Sequence, residues 1–347
     1  MRCWTRPAAL VAAAALTVTG LTSMAGATPG SAPGPAAVSA PRGDQAPAPA
    51  YEEPRAGFGL AAQGRSSKAI NTKRRAAVRK AYRKRYAPTI GVPTGWNGAY
   101  AGCRPGNVTK RSRKATLRAL NLVRAMAGLD PVGFRPKLNR QAQRAALMMG
   151  ANQSLSHYPD RSWKCWSKAG AKAAQTGNLA LRWPVMRSGQ VIDQYVDDEG
   201  ANNTAVGHRR WILNPSTRWM GTGSTDIANA LVVVTPPASG RATPTWIPWP
   251  TAGWFPHQME PAGRWSFSTT SDRYDLARAK VGVRVVKGRK LKVKRHAFQR
   301  GAGPDTLVWQ VKPRAGKAHR VTIRGIRDTS TGRTVRRSYV VRLFNAR

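Results

Sequence analysis

Apolar residues recur at helical spacing in three segments of the first two thirds of the chain, and these segments predict three helices. The apolar positions are Leu117, Leu120 and Val123; then Leu138, Ala142, Ala145, Ala146 and Met149; then Val191, Ile192 and Tyr195. Gly128 is placed to end the first helix, because glycine readily adopts the left-handed conformation found there. Residues 220–223 and 231–234 are typical of strands. The pattern predicts a mixed helix and strand domain over residues 90–245.

After residue 245 the helical spacing gives way to alternation of apolar and polar residues. The alternating runs lie at 281–285, 291–293, 321–323 and 339–343. Several short strands of this kind predict an all-β domain at residues 246–347, of the immunoglobulin-like sandwich type. The predicted fold class is therefore α+β. Most outward positions of these strands are Arg or Lys, so we expect a positively charged face.

The N-terminal segment has the pattern of an export signal. Arg2 and Arg6 precede an apolar run, and small residues at 25–27 form a cleavage site, which predicts a signal peptide at residues 1–27. Residues 28–64 are rich in Ala, Pro, Gly and Ser, a composition typical of a disordered linker. Residues 65–89 carry runs of Lys and Arg and predict a basic, partly helical tether. We expect a secreted protein, held outside the cell.

The chain is strongly cationic, with 58 Lys and Arg against 15 Asp and Glu and a formal net charge of +43. Such a charge attracts polyanions, and the expected partners are an anionic cell-wall polymer or a membrane surface. No nucleic-acid-binding motif is recognisable, so the charge predicts no specific nucleic-acid partner. Apart from the signal, no segment has the roughly 20 apolar residues of a transmembrane helix.

The cysteines predict one disulfide bond. Cys3 lies in the signal, which leaves Cys103 and Cys165 in the exported protein. Neither belongs to a CxxC motif, and in an oxidising compartment an isolated pair is typical of a disulfide.

Two of the five histidines lie in unusual short motifs. His157 follows the second predicted helix in Leu-Ser-His-Tyr-Pro-Asp, and His208 opens Gly-His-Arg-Arg-Trp-Ile-Leu-Asn-Pro at 207–215. Together with an Asn-Leu-Ala segment and a later Gly-x-Gly, these motifs resemble the CAP superfamily of cysteine-rich secretory, venom-allergen, plant pathogenesis-related and bacterial exported proteins. The resemblance covers residues 115–234 and implies an α-β-α sandwich.

The resemblance also implies a cleft with two histidines and two acidic residues, which binds a divalent ion in some members. His157 and His208 match the histidines, and Asp198 matches one acid. The other acidic position falls at Gly177, so that acid is absent. Two imidazoles, one carboxylate and a water could still form a tetrahedral zinc site. Asn178 and Asn203 are further candidate cleft residues.

The missing acid bears on function, because it leaves no evident general base beside a metal, and no Ser or Cys nucleophile is marked. This favours a non-enzymatic protein that binds a small apolar or peptide-like ligand, with or without metal, at an anionic envelope. A metal-dependent hydrolase of peptide or cell-wall material is an alternative. In a third reading, the basic β domain is a polymer- or protein-binding module. The histidines themselves could be purely structural, and Arg209 and Arg210 could be either surface or buried residues.

Overall fold

The computed structural model describes residues 64–347 and a two-residue strand at 44–45. The predicted signal peptide and most of the predicted linker lie outside the described residues. The helices are α1 (Arg75–Ala81), α2 (Ala87–Ile90), α3 (Lys110–Ala127), α4 (Pro136–Asn152), α5 (Lys168–Gln175), α6 (Gln190–Asp197) and α7 (Gly207–Ile212). A π-helical turn (Tyr82–Tyr86) joins α1 to α2, and 3₁₀ turns lie at Ala101–Cys103, Ala201–Asn203 and His257–Met259.

The strands fall into one group before residue 235 and a second group after residue 245. The first group is β1 (Asp44–Gln45), β2 (Gly133–Phe134), β3 (Gly177–Leu181), β4 (Trp219–Ser224) and β5 (Ala228–Val232). The second is β6 (Trp246–Trp249), β7 (Gly253–Pro256), β8 (Arg264–Thr269), β9 (Tyr274–Asp275), β10 (Lys280–Val285), β11 (Lys290–Leu291), β12 (Val293–Arg295), β13 (Thr306–Val311), β14 (Ala318–Asp328) and β15 (Thr334–Phe344).

The predicted helices form, with ends set by local chemistry. The Thr109 hydroxyl accepts a hydrogen bond from the Ser112 amide at the start of α3, and Gly128 ends that helix at φ 84°. Pro136 opens α4, where its missing N–H costs no helical hydrogen bond. These ends fix where the chain enters and leaves the two longest helices.

The first strand group forms one sheet in the order β1-β3-β5-β4-β2, with helices on both faces. Alternation along β3 divides the two faces: Leu179 and Leu181 pack with α4 and α5, whereas Ala180 packs with α3, α6 and α7. The result is three layers, helix on sheet on helix, as the sequence resemblance implied.

The second strand group forms two further sheets. One has the order β11-β10-β14-β15-β7 with β9 beside β14, and the other has the order β12-β13-β8-β6. All pairs within them are antiparallel except the parallel pair of β15 with β7. This is an all-β region with several antiparallel pairings, as predicted; its immunoglobulin-like connectivity stays a prediction.

One apolar core runs through both parts of the chain. It includes Trp211 of α7, Trp249 of β6 and Trp265 of β8, each 0% exposed. The described residues accordingly belong to one compact unit. Residues on both sides of the predicted boundary between 245 and 246 therefore contribute to one core.

The basic segment at residues 65–89, predicted to be a partly helical tether, contains helical turns that bury one of their faces. Val78, Tyr82 and Tyr86 are buried in the core, while the neighbouring Arg83, Lys84 and Arg85 are exposed. The apolar residues recur every four positions, so the helical turns bury one face and leave the cations in water. This amphipathic pattern is hard to recognise in the sequence because the apolar residues stand among runs of Lys and Arg.

The predicted disulfide is confirmed: Cys103 and Cys165 are bonded, with their Cα atoms 5.1 Å apart. The bond ties the turn before α3 to the loop before α5. Within residues 64–347, none of the helices is both long enough and apolar enough to cross a membrane.

Candidate functional site

His208 and Asp198 form a buried pair between α6 and α7. Helix α6 ends at Asp197, and Asp198 takes the left-handed conformation (φ 53°), which turns its carboxylate towards α7. His208 Nδ1–H donates to Asp198 Oδ1 at 2.6 Å, and the Arg209 amide donates to Oδ2 at 3.1 Å. Both side chains are 0% exposed. Asp198 thus fixes the imidazole's orientation and leaves Nε2 as its basic nitrogen.

A polar network of buried residues surrounds this pair. The Tyr195 ring stacks on His208 with centroids 5.5 Å apart, and its hydroxyl donates to Asn229 Oδ1 at 2.8 Å. Asn178 Nδ2 donates to the His208 carbonyl at 3.1 Å, and Asn203 Nδ2 donates to the Glu199 carbonyl at 2.8 Å. His208 Nε2, Asn178 Oδ1 and Asn203 Oδ1 have no hydrogen-bond partner among the described residues. Sequence reasoning found Asn178 and Asn203 but not Tyr195 or Asn229.

The absent acid at Gly177 follows from close packing. A Cβ atom at this position would lie 2.7 Å from the Ala173 carbonyl oxygen and 3.1 Å from that of Leu231. Real Cβ atoms do not approach backbone that closely, so β3 and α5 leave no room for a glutamate here. The second cleft acid of the resemblance is therefore excluded by this backbone as well as by the sequence.

Arg209 and Arg210 are buried and join α7 to the β region. Arg209 donates to the Val196 carbonyl (2.6 Å), the Asp197 carbonyl (3.2 Å) and the Ser266 hydroxyl (2.9 Å). The Arg210 guanidinium donates to the carbonyls of residues 299, 303 and 304. Arg264, which sequence reasoning missed, donates from β8 to the carbonyls of residues 198 and 200. Burial lowers the pKa of Arg209 to about 10, so it stays charged at neutral pH.

Burial raises the pKa values of three further carboxyl groups, those of Asp193, Asp197 and Glu260. Burial raises the pKa of Asp193 to about 8, and burial followed by the neighbouring carboxylates raises the pKa of Asp197 well above its usual range. Burial also raises the pKa of Glu260.

His157 lies in a different environment from His208. Its Nδ1–H donates to the Ala174 carbonyl at 2.5 Å, and the side chain is half-buried. It borders an open pocket of about 390 Å³, which does not include His208. The pocket is lined by His157, Tyr158, Pro159, Trp166, Lys168, Ala171, Lys172 and Gln175.

The pocket combines aromatic rings with two cations. Tyr158 is 69% exposed, and among residues 64–347 no other large hydrophobic side chain is exposed. Trp166 is held in place because its indole N–H donates to the Pro159 carbonyl at 3.1 Å. Lys168 and Lys172 are exposed and lie one turn apart on α5, so they share one helix face. A ligand here would meet ring faces and ammonium groups together.

The three predicted metal ligands are not brought into one group. Each Asp198 oxygen already accepts a hydrogen bond, and Asp198 orients His208 instead of standing beside it as a ligand. In the part of the chain that the structure describes, no group of three His, Cys, Asp or Glu residues could hold a metal ion. The described residues therefore show no three-ligand group, and zinc binding at His157, His208 and Asp198 stays a prediction of the sequence.

Zinc titration of the purified full chain decides the role of the two histidines. We expect no stoichiometric binding that depends on both histidines. The Asp198 carboxylate already accepts hydrogen bonds from His208 and from the Arg209 amide, and His208 Nε2 is buried. The measurement is calorimetry on the parent and on His157→Ala and His208→Ala variants. One zinc bound per chain, lost in both variants, would contradict this expectation and establish a two-histidine site.

Comparison with known protein families identifies the segment that contains His157 and His208. The family model described as CAP: Cysteine-rich secretory protein family matches residues 117–235. The chain therefore carries a CAP domain over this segment, as the motifs at His157 and His208 indicated. No curated protein matches the chain in sequence.

Proposed function

We propose that this is an exported, non-enzymatic CAP-domain protein that binds a small ligand and is retained at an anionic cell envelope. The pocket beside His157 carries the proposal. The ligand it suits has an apolar or ring-shaped body and a negatively charged group. A peptide-like molecule with a free carboxylate fits this description, as does an amphiphilic anion.

The size and lining of the pocket support this ligand class. A volume of about 390 Å³ lies within the range of small-molecule sites. Tyr158 and Trp166 offer apolar ring faces, and the ammonium groups of Lys168 and Lys172 offer charge complementarity to an anion. The ligand's apolar part would pack against the rings while its anionic group faces α5.

The same lining supports binding rather than turnover. No Asp, Glu, Ser or Cys lines the pocket, so it offers no carboxylate base and no serine or cysteine nucleophile. His157 has its Nδ1–H directed at a backbone carbonyl. The buried pair of His208 and Asp198 then acts as structural support for the CAP domain.

Retention at an envelope is proposed from charge. A formal net charge of +43 favours association with anionic polymer or anionic lipid, and this attraction weakens as salt rises. The signal-like N-terminus supports a location outside the cell.

The pocket is tested with 1-anilinonaphthalene-8-sulfonate, a fluorescent anion with an apolar ring system. We expect saturable binding that weakens about tenfold in a Lys168→Ala/Lys172→Ala variant, because each ammonium contributes roughly 0.7 kcal/mol to an anion at an exposed site. The matched control is Lys110→Ala/Lys114→Ala, two exposed lysines with the same spacing on α3. Equal affinities for the two variants would show that the dye does not bind in this pocket.

A further inference from the structure

The outward side of the larger β sheet is a cationic surface. Its exposed basic residues, named here the cationic sheet face, are Lys280, Arg284, Lys290, Arg320, Arg324, Arg336 and Arg342. The opposite side of the same strands is buried, with Val283, Val321 and Ile323 in the core. Alternation along the strands therefore directs all seven cations to solvent.

The strand register places these cations in rows across the sheet. Lys290 lies opposite Arg284, which lies opposite Arg320, so one row crosses β11, β10 and β14. Lys280 lies opposite Arg324 in a second row. Four positions separate Lys280 from Arg284 along β10, which places the rows about 13 Å apart.

Small residues occupy the strip between the two rows. Gly282 lies opposite Thr322, and Thr322 lies opposite Ser338. No atom lies within 4 Å of the position that a Cβ on Gly282 would take. The strip is therefore a shallow, unobstructed part of the surface, with a row of cations on each side.

With no anion bound, the closely spaced cations of this face repel one another. Like charges directly opposite each other on neighbouring strands repel. Among the described residues, the ion pairs involve Asp198, Asp275, Asp305 and Asp328, and none of them includes a residue of the cationic sheet face. A bound polyanion would supply the missing negative charge.

The side chains of the face indicate which polyanion fits. Five of the seven are arginines, whose planar guanidinium groups bind phosphate through paired hydrogen bonds. Among the described residues, Tyr158 is the only large hydrophobic side chain that is exposed, and it lies at the pocket beside His157 rather than on this face. The face therefore lacks the exposed aromatic platform on which nucleic-acid bases stack, and it lacks a large apolar residue to insert into a membrane.

We propose that the cationic sheet face binds a linear phosphodiester polymer without bases, of the poly(glycerol phosphate) type, lying across the strands between the two rows. This inference rests on the proposed retention at an anionic envelope and assigns that retention to one surface. It is independent of the pocket beside His157.

The test compares two triple variants of the full chain with the same change in charge. Arg284→Gln/Arg320→Gln/Arg324→Gln removes three cations from the face. Arg111→Gln/Arg140→Gln/Arg144→Gln removes three exposed arginines of α3 and α4. Affinity for poly(glycerol phosphate) is measured at several salt concentrations, and circular dichroism checks that each variant is folded.

We expect the parent to bind, with an affinity that falls as salt rises, and the face variant to bind at least about tenfold more weakly with a shallower salt dependence. The α3 and α4 control should stay within about threefold of the parent. Equal losses in both variants would overturn the assignment to this face while leaving envelope retention intact. No binding by the parent at any salt would contradict envelope retention itself. Tighter binding to a thymidine 30-mer or to phosphatidylserine vesicles than to the polymer would overturn the choice of partner.

Discussion

Replacing Arg209 with alanine is expected to lower the free energy of unfolding by about 3 kcal/mol, measured by chemical denaturation. Its guanidinium donates to the Val196 and Asp197 carbonyls and to the Ser266 hydroxyl, all in buried surroundings. Alanine would leave these acceptors without a donor and would break a direct link between α6, α7 and β8. The two parts of the chain share one core, so the loss should appear in a single unfolding transition.

Two control variants separate this link from charge alone. Arg111→Ala, on an exposed position of α3, should change the free energy of unfolding by less than about 0.5 kcal/mol. Arg209→Lys keeps the positive charge but lacks the planar guanidinium group with its several N–H donors. We therefore expect an intermediate loss of unfolding free energy. If Arg209→Ala changed the free energy of unfolding as little as Arg111→Ala does, Arg209 would not link α6, α7 and β8 as argued.

Removing the disulfide is expected to cost about 4 kcal/mol. The bond between Cys103 and Cys165 closes a loop with a sequence separation of 62, and the entropy of an open loop of that length gives this figure at 25 °C. The measurement is denaturant unfolding of a Cys103→Ser/Cys165→Ser variant. Because Trp166 adjoins Cys165, we also expect weaker binding of the fluorescent anion to this variant.

Reductant supplies the matched control for the disulfide. The parent protein treated with reductant should lose about as much stability as the double variant, and the double variant should be unaffected by reductant. If the double variant lost less than about 1 kcal/mol, the crosslink would not restrict the unfolded chain as argued.

Much of the architecture could be predicted because it depends on local periodicity. The spacing of Leu117, Leu120 and Val123 and the stop at Gly128 gave α3, and alternation gave the strands after residue 245. The basic segment was harder, since its buried Val78 and Tyr86 stand among exposed cations. The shared core across residue 245 depends on contacts between distant segments, which periodicity does not reveal.

The candidate site was only partly predictable for the same reason. The motifs led to His157, His208 and Asp198, but sequence alone could not show that Asp198 would orient His208 or that His157 would border a separate pocket. Arg209 and Arg210 looked equally suited to surface or interior. Lys168 and Lys172 carried a usable signal, since their spacing of four places them on one face of a helix just after the His157 motif.

Tryptophan indole signals in ¹H–¹⁵N correlation spectra test the central claim most directly, because Trp166 lines the proposed pocket and buried Trp211 and Trp249 do not. We predict that titration with 1-anilinonaphthalene-8-sulfonate shifts the Trp166 indole signal progressively, since that N–H donates to the Pro159 carbonyl at the pocket wall. The Trp211 and Trp249 signals should not move, and a Trp166→Phe variant assigns the signal. A stationary Trp166 signal alongside shifts of other indoles would contradict ligand binding beside His157.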